Sequence, residues 1–118
     1  MTRLVRLRHA AFVRQQGRCF YCELAMPQAQ DLEAFAKCHG ISPKQARCLL
    51  CTAEHLHARC DGGKDLPDNI VAACWLCNQR RHKRPHPLDA ERYQQLVRRR
   101  VAAGHWHDEK VLTRCRMT

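Results

Sequence analysis

Glu54 and His55 are followed by a Gly62-Gly63 turn, Asn69, Asn78 and His82, all within twenty-nine residues. Two Cys-x-x-Cys pairs, Cys19/Cys22 and Cys74/Cys77, lie ahead of that stretch and inside it. A carboxylate, an amide oxygen and an imidazole are donors suited to one hydrolytic divalent ion, and the neighbouring histidine could serve as a base. The four thiolates form a separate, softer set suited to zinc. Neither half would point to a function alone; their interleaving is hard to obtain by chance.

Each Cys-x-x-Cys presents two thiolates from one turn, so two pairs can close a tetrahedral site, with the fold bridging the long gap between them. Cys48 and Cys51 make a third pair that could replace one of the other two. It ranks lower because it leads into a predicted strand, where residues three apart face opposite ways. Cys38, Cys60 and Cys115 stay unassigned, and four buried thiols packing as small hydrophobes is the alternative reading. The first residues, Met1 to Arg8, contain no uninterrupted apolar run, and no segment approaches a membrane span. The expectation is a cytoplasmic, reducing compartment, where paired thiols more often bind metal than form disulfides.

The elements that must position these groups follow from period and punctuation. Thr2 can cap a helix over 2–16, with Val5, His9, Phe12, Val13 and Gln16 on one face and Gly17 as its stop. Residues 28–38 read as a short helix ended by His39-Gly40, and Ser42-Pro43 can open another turn. Residues 49–57 read as a strand of weak propensity, Asp61-Gly62-Gly63 as a turn, and 69–73 as a second strand. A knuckle at Cys74 runs into a helix from Asn78 to about Arg84, stopped by Pro85 and Pro87. Asp89 can cap a last helix over 89–103, with Tyr93, Leu96, Val97 and Val101 inward and Gly104 closing it. The tail beyond shows no clear period. At 118 residues the chain is expected to be one domain.

Lys and Arg total 21 against 11 Asp and Glu, a formal charge of +10. Such an excess points to a polyanionic partner, nucleic acid first. Arg80, Arg81, Lys83 and Arg84 surround His82 and are the candidate phosphate contacts. For Arg98, Arg99 and Arg100, phosphate contact and a solvated helix face weigh about equally. No base-reading module is visible, and oligomeric state is not readable.

The run from Glu54-His55 through Gly62-Gly63 and Asn69 to Cys74, Cys77, Asn78 and His82 resembles the HNH endonucleases built on a zinc-binding Cys-x-x-Cys frame. The resemblance spans about 17–84. It implies an α+β fold, a small ββα-metal core stapled by a four-cysteine structural zinc site (Cys19, Cys22, Cys74, Cys77), with flanking helices. It also implies roles: His55 as general base, Asn69 tethering the loop and orienting that base, and Glu54, Asn78 and His82 as ligands of a catalytic ion. Local physics agrees. Asn78 and His82 are i and i+4, so they share a helix face. Imidazole titrates near physiological pH and can take a proton from water. An oxygen-rich set with one nitrogen favours Mg²⁺ or Mn²⁺.

The activity implied is metal-dependent hydrolysis of DNA phosphodiester bonds, leaving a 5′-phosphate and a 3′-hydroxyl. A non-catalytic zinc-bound nucleic-acid module is the alternative, and it leaves the ordered Glu-His/Asn/Asn/His set without a reason. A thiol redox protein is a weaker one, since no thioredoxin-like βαβ pattern accompanies the cysteines. His57 could be a phosphate contact or rival base, although a strand histidine without a role is the plainer reading. His9, His39, His86, His105 and His107 read as surface or packing residues.

Overall fold

The computed structural model describes residues 1–117. Its helices are α1 (Arg3–Arg14), α2 (Leu32–His39), α3 (Pro43–Cys48), α4 (Trp75–His82), α5 (Ala90–Ala102) and α6 (Glu109–Cys115). Between α3 and α4 lie strands β1 (Cys51–His55) and β2 (Ile70–Cys74), paired antiparallel with Cys51 opposite Cys74 and His55 opposite Ile70. This is a mixed helix and two-stranded architecture, consistent with a ββα-metal core. None of the described helices is long and apolar enough to cross a membrane.

A two-stranded sheet is marginal by itself, and here its neighbours hold it. β2 is buried along its whole length. Gln15, just past α1, treats β2 as a strand would: its Nε2 donates to the Ala72 carbonyl at 2.8 Å, and its Oε1 accepts from the Ala72 amide at 2.9 Å. Thr52 Oγ1 donates to the Ala73 carbonyl at 2.6 Å. Pairing with a β2 held in this way makes β1, poor in strand formers, a strand: pairing and packing override propensity.

The caps are those expected from sequence. Thr2 Oγ1 accepts from Val5, Ser42 and Gln45 form a reciprocal capping box with Pro43 at the first helical position, and Asp89 accepts from Arg92. Tyr93, Val97 and Val101 are buried on α5. Three expectations need correction. The inward stripe of α1 runs through Leu4, Leu7, Ala11 and Gln15, while Val13 is 62% exposed. α4 begins at Trp75, three residues earlier than expected, because the Cys74 thiol caps it by accepting from the Cys77 amide. The tail also carries α6, capped by Asp108 and burying Val111 and Cys115. Seven residues with so few apolar positions give no readable period.

Candidate functional site

Two knuckles bring Cys19, Cys22, Cys74 and Cys77 together, all buried, with their sulfurs within 4.8 Å of one another. Cys22 and Cys74 are 3.9 Å apart. Tetrahedral zinc with bonds of ~2.3 Å separates its sulfurs by about 3.8 Å, so the cluster is compatible with that ion. Cys48 lies on α3 and Cys51 at the start of β1, outside the cluster; burial pushes the Cys51 thiol up to about 11.

Donors surround the sulfurs. The Tyr21 and Cys74 amides point at Cys19 Sγ (3.4 and 3.2 Å), and the Trp106 indole N–H at Cys77 Sγ (3.3 Å). Burial opposes charge on Cys19, but hydrogen bonds from its partner cysteines and the Cys74 amide hold its thiol well below the ordinary value. Burial and the charge on Cys19 push Cys74 and Cys77 well above it; the amide and indole N–H groups are the donors that can remain when all four sulfurs are deprotonated on a metal. His107 is buried beside this centre, and burial lowers its imidazole to about 4, so it sits neutral.

Glu54, His55, Asn78 and His82 line one cleft of about 370 Å³, with Leu4, Ala58 and Arg59. Glu54 Oε1 and His82 Nε2 are 2.9 Å apart. Two ligands at right angles on one ion with ~2.1 Å bonds stand about 3 Å apart, so this pair fits a shared cation. Asn78 Nδ2 donates to Thr52 Oγ1 (3.0 Å) and the Ala53 carbonyl (3.3 Å), which leaves its amide oxygen as the free end. Adjacent strand residues ordinarily face opposite ways. Glu54 and His55 both reach the cleft because β1 ends at His55.

The other Glu54 oxygen is anchored from behind. Oε2 accepts from the Tyr21 hydroxyl (2.9 Å) and from Arg81 Nη1 (3.0 Å). Burial pushes the Tyr21 phenol far up, so it stays a donor. Arg81 was expected on the phosphate-binding surface. It is instead 4% exposed, and its guanidinium also donates to the carbonyls of His55, Leu56 and Leu88. Burial acts to lower its pKa, yet Tyr21 and Glu54 hold it above the ordinary value. Arg81→Met should therefore cost about 3–5 kcal/mol, the usual result of leaving one member of a buried ion pair alone. Urea denaturation of the zinc-loaded protein measures it; a loss below about 1 kcal/mol, the range of a surface pair, would show that Glu54 does not depend on this partner.

Of the remaining basic group, Arg80 lies exposed but stacks over Trp106 (4.7 Å) and donates to its carbonyl at 2.7 Å. Lys83 is exposed and Arg84 partly so. Arg98 is engaged with the first knuckle, donating to the Tyr21 and Phe20 carbonyls and pairing with Glu23.

The loop joining β1 to β2 is tied by Asn69. Its Oδ1 accepts from the His57 amide (2.8 Å), and its Nδ2 donates to the carbonyls of His57 (3.1 Å) and Lys64 (2.9 Å). Gly63 is required by close approach: a Cβ there would meet the His57 carbonyl oxygen at 1.8 Å. Ala58 has φ −61°, the value a proline would impose. His57 itself turns onto its own loop, its Nε2 against the Asp61 carbonyl.

Sequence reasoning missed Asp65. His55 Nε2 meets Asp65 Oδ1 at 2.8 Å, and Arg59 Nη2 donates to both Asp65 oxygens at 2.9 and 3.0 Å. The His55 and Arg59 hydrogen bonds hold the Asp65 carboxyl below its ordinary value, so it is ionised. An ionised carboxylate can only accept, so Nε2 donates to it, and Nδ1 has no hydrogen-bond partner among the described residues. No local pattern marks an aspartate ten residues downstream as that partner.

Residues 37–84 match the family model described as HNH endonuclease. The matched segment holds Glu54, His55, Asn69, Asn78, His82, Cys74 and Cys77; Cys19 and Cys22 lie outside it and join through tertiary structure. No curated protein and no solved structure matches the chain.

Proposed function

We propose, from an HNH endonuclease unit spanning residues 37–84, that this protein is a metal-dependent endonuclease hydrolysing DNA phosphodiester bonds. The observation that carries this reading is the 2.9 Å approach of Glu54 Oε1 to His82 Nε2 in a cleft shared with His55 and Asn78. Glu54, Asn78 and His82 would hold Mg²⁺ or Mn²⁺, and Cys19, Cys22, Cys74 and Cys77 a structural zinc. A divalent ion bound there polarises a phosphoryl oxygen and neutralises charge on the departing 3′ oxygen.

The chain's own residues do the rest. His55 Nδ1 accepts a proton from the attacking water, while Asp65 holds Nε2–H and fixes the tautomer. Asn69 keeps the loop behind His55 in one shape. Lys83 and Arg84, with the outer side of Arg80, lie next in sequence to the ligand helix and supply phosphate contacts that carry no sequence information. The products are a 5′-phosphate and a 3′-hydroxyl. Nine cysteines without disulfides suit a reducing cytoplasm.

His55→Ala should lower nicking of supercoiled plasmid in Mg²⁺ or Mn²⁺ by about 10²–10⁴-fold, the usual contribution of a general base. Equal cleavage by both proteins would end this mechanism.

A further inference from the structure

A second cleft, of about 410 Å³, opens beside the first residue of α4 and is lined by Lys44, Arg47, Cys48, Leu50 and Trp75. Trp75 is 40% exposed. Lys44 and Arg47 make no ion pair among the described residues. The cleft wall is almost wholly apolar, with the two exposed basic residues contributing to it beside the indole; an aromatic face near unpaired cations is chemistry suited to an unstacked nucleobase and its phosphates.

Its position ties it to the candidate active site. Trp75, Asn78 and His82 stand at i, i+3 and i+7, one stripe of α4. Along β1 the same order holds: the Trp75 amide donates to the Leu50 carbonyl (2.8 Å), Asn78 to Thr52 and Ala53, and His82 meets Glu54. The α4–β1 seam thus has the indole at one end and the Glu54/His82 pair at the other. Seven residues of helix rise about 10.5 Å, close to three nucleotide steps of a stacked strand at ~3.4 Å each.

We infer that Trp75, with Lys44 and Arg47, forms a base-stacking subsite for an unpaired stretch of DNA about three nucleotides from the scissile phosphate. This deepens the nuclease reading, on which its distance to the scissile phosphate rests. Paired bases inside a duplex present no free face to the indole, so the subsite selects single-stranded or locally opened DNA.

The test is tryptophan fluorescence of the zinc-loaded full chain carrying His55→Ala, titrated with an oligothymidylate of about 12 nucleotides and with a blunt duplex of equal length. Binding is read without cleavage, so loss of the nuclease reading and loss of this one are separable. Trp106 is buried and held on Cys77, so the signal belongs to Trp75. The expected result is quenching by the oligothymidylate; because the Trp75 variants lack this reporter, their affinity is read by anisotropy of the same DNAs end-labelled with fluorescein, and Trp75→Ala should weaken oligothymidylate binding by about 5- to 150-fold, one stacked base. Trp75→Phe should retain most of it, and duplex affinity should change by less than about twofold in both variants, because phosphate contacts dominate there. Three outcomes overturn the inference: no quenching, equal losses on duplex and single strand, or a change in sedimentation with Trp75→Ala that leaves DNA binding intact, which would make the cleft a protein contact.

Discussion

Asp65→Ala should lower plasmid nicking toward the about 10²–10⁴-fold loss expected from removing the base itself. His55 Nε2 and Arg59 Nη2 both meet Asp65 Oδ1, and Arg59 alone also reaches Oδ2. Without the carboxylate Nε2 has no acceptor, and nothing keeps the ring proton there and Nδ1 open to take a proton from water. Asp65→Asn should keep more of the rate, because an amide oxygen at the Oδ1 place can accept from both donors while its NH₂ faces only Arg59, which is exposed and free to withdraw. Nitrogen-15 NMR of His55 reads the tautomer directly. A wild-type rate for Asp65→Ala would show that Asp65 does not position the base.

Removing zinc should unfold the protein rather than merely inactivate it. Structural zinc contributes an apparent ~10–16 kcal/mol at pH 7, as much as the whole stability of a typical domain, about 5–15 kcal/mol. The connection to the candidate active site is short. Cys74 ends β2 and caps α4, Cys77 lies on the first turn of α4, and Asn78 is the next residue. Tyr21, which anchors Glu54, sits between Cys19 and Cys22. Chelation, or Cys74→Ser, should abolish the cooperative thermal transition in circular dichroism, release about one zinc per chain, and stop nicking even with Mg²⁺ in excess. A chelated protein that keeps its transition temperature within a few degrees would assign the four thiols to packing alone.

Several element ends were legible because local chemistry sets them: Ser42 with Pro43, Asp89, and glycines at 40 and 104 act within a few residues. The α1 face was misread because its inward stripe includes Gln15, a polar side chain that is inward only because β2 offers it a backbone edge. Arg81 was misread for a similar reason. In a run of basic residues nothing local separates the one that turns inward from those left in solvent, and the partners deciding it, Tyr21 and Glu54, are 60 and 27 residues away.

Amino-acid type and spacing marked the candidate donors, the Cys-x-x-Cys pairs and the order of the HNH-like residues, since those depend on side-chain chemistry and on one helical or turn period. Convergence belonged to tertiary structure: the meeting of Glu54 with His82, the anchoring of Glu54 by Arg81 and Tyr21, and the Asp65 contact that sets the His55 tautomer. Each joins separate elements or a loop to a strand end, and geometry of that kind is written in packing rather than in any window of sequence.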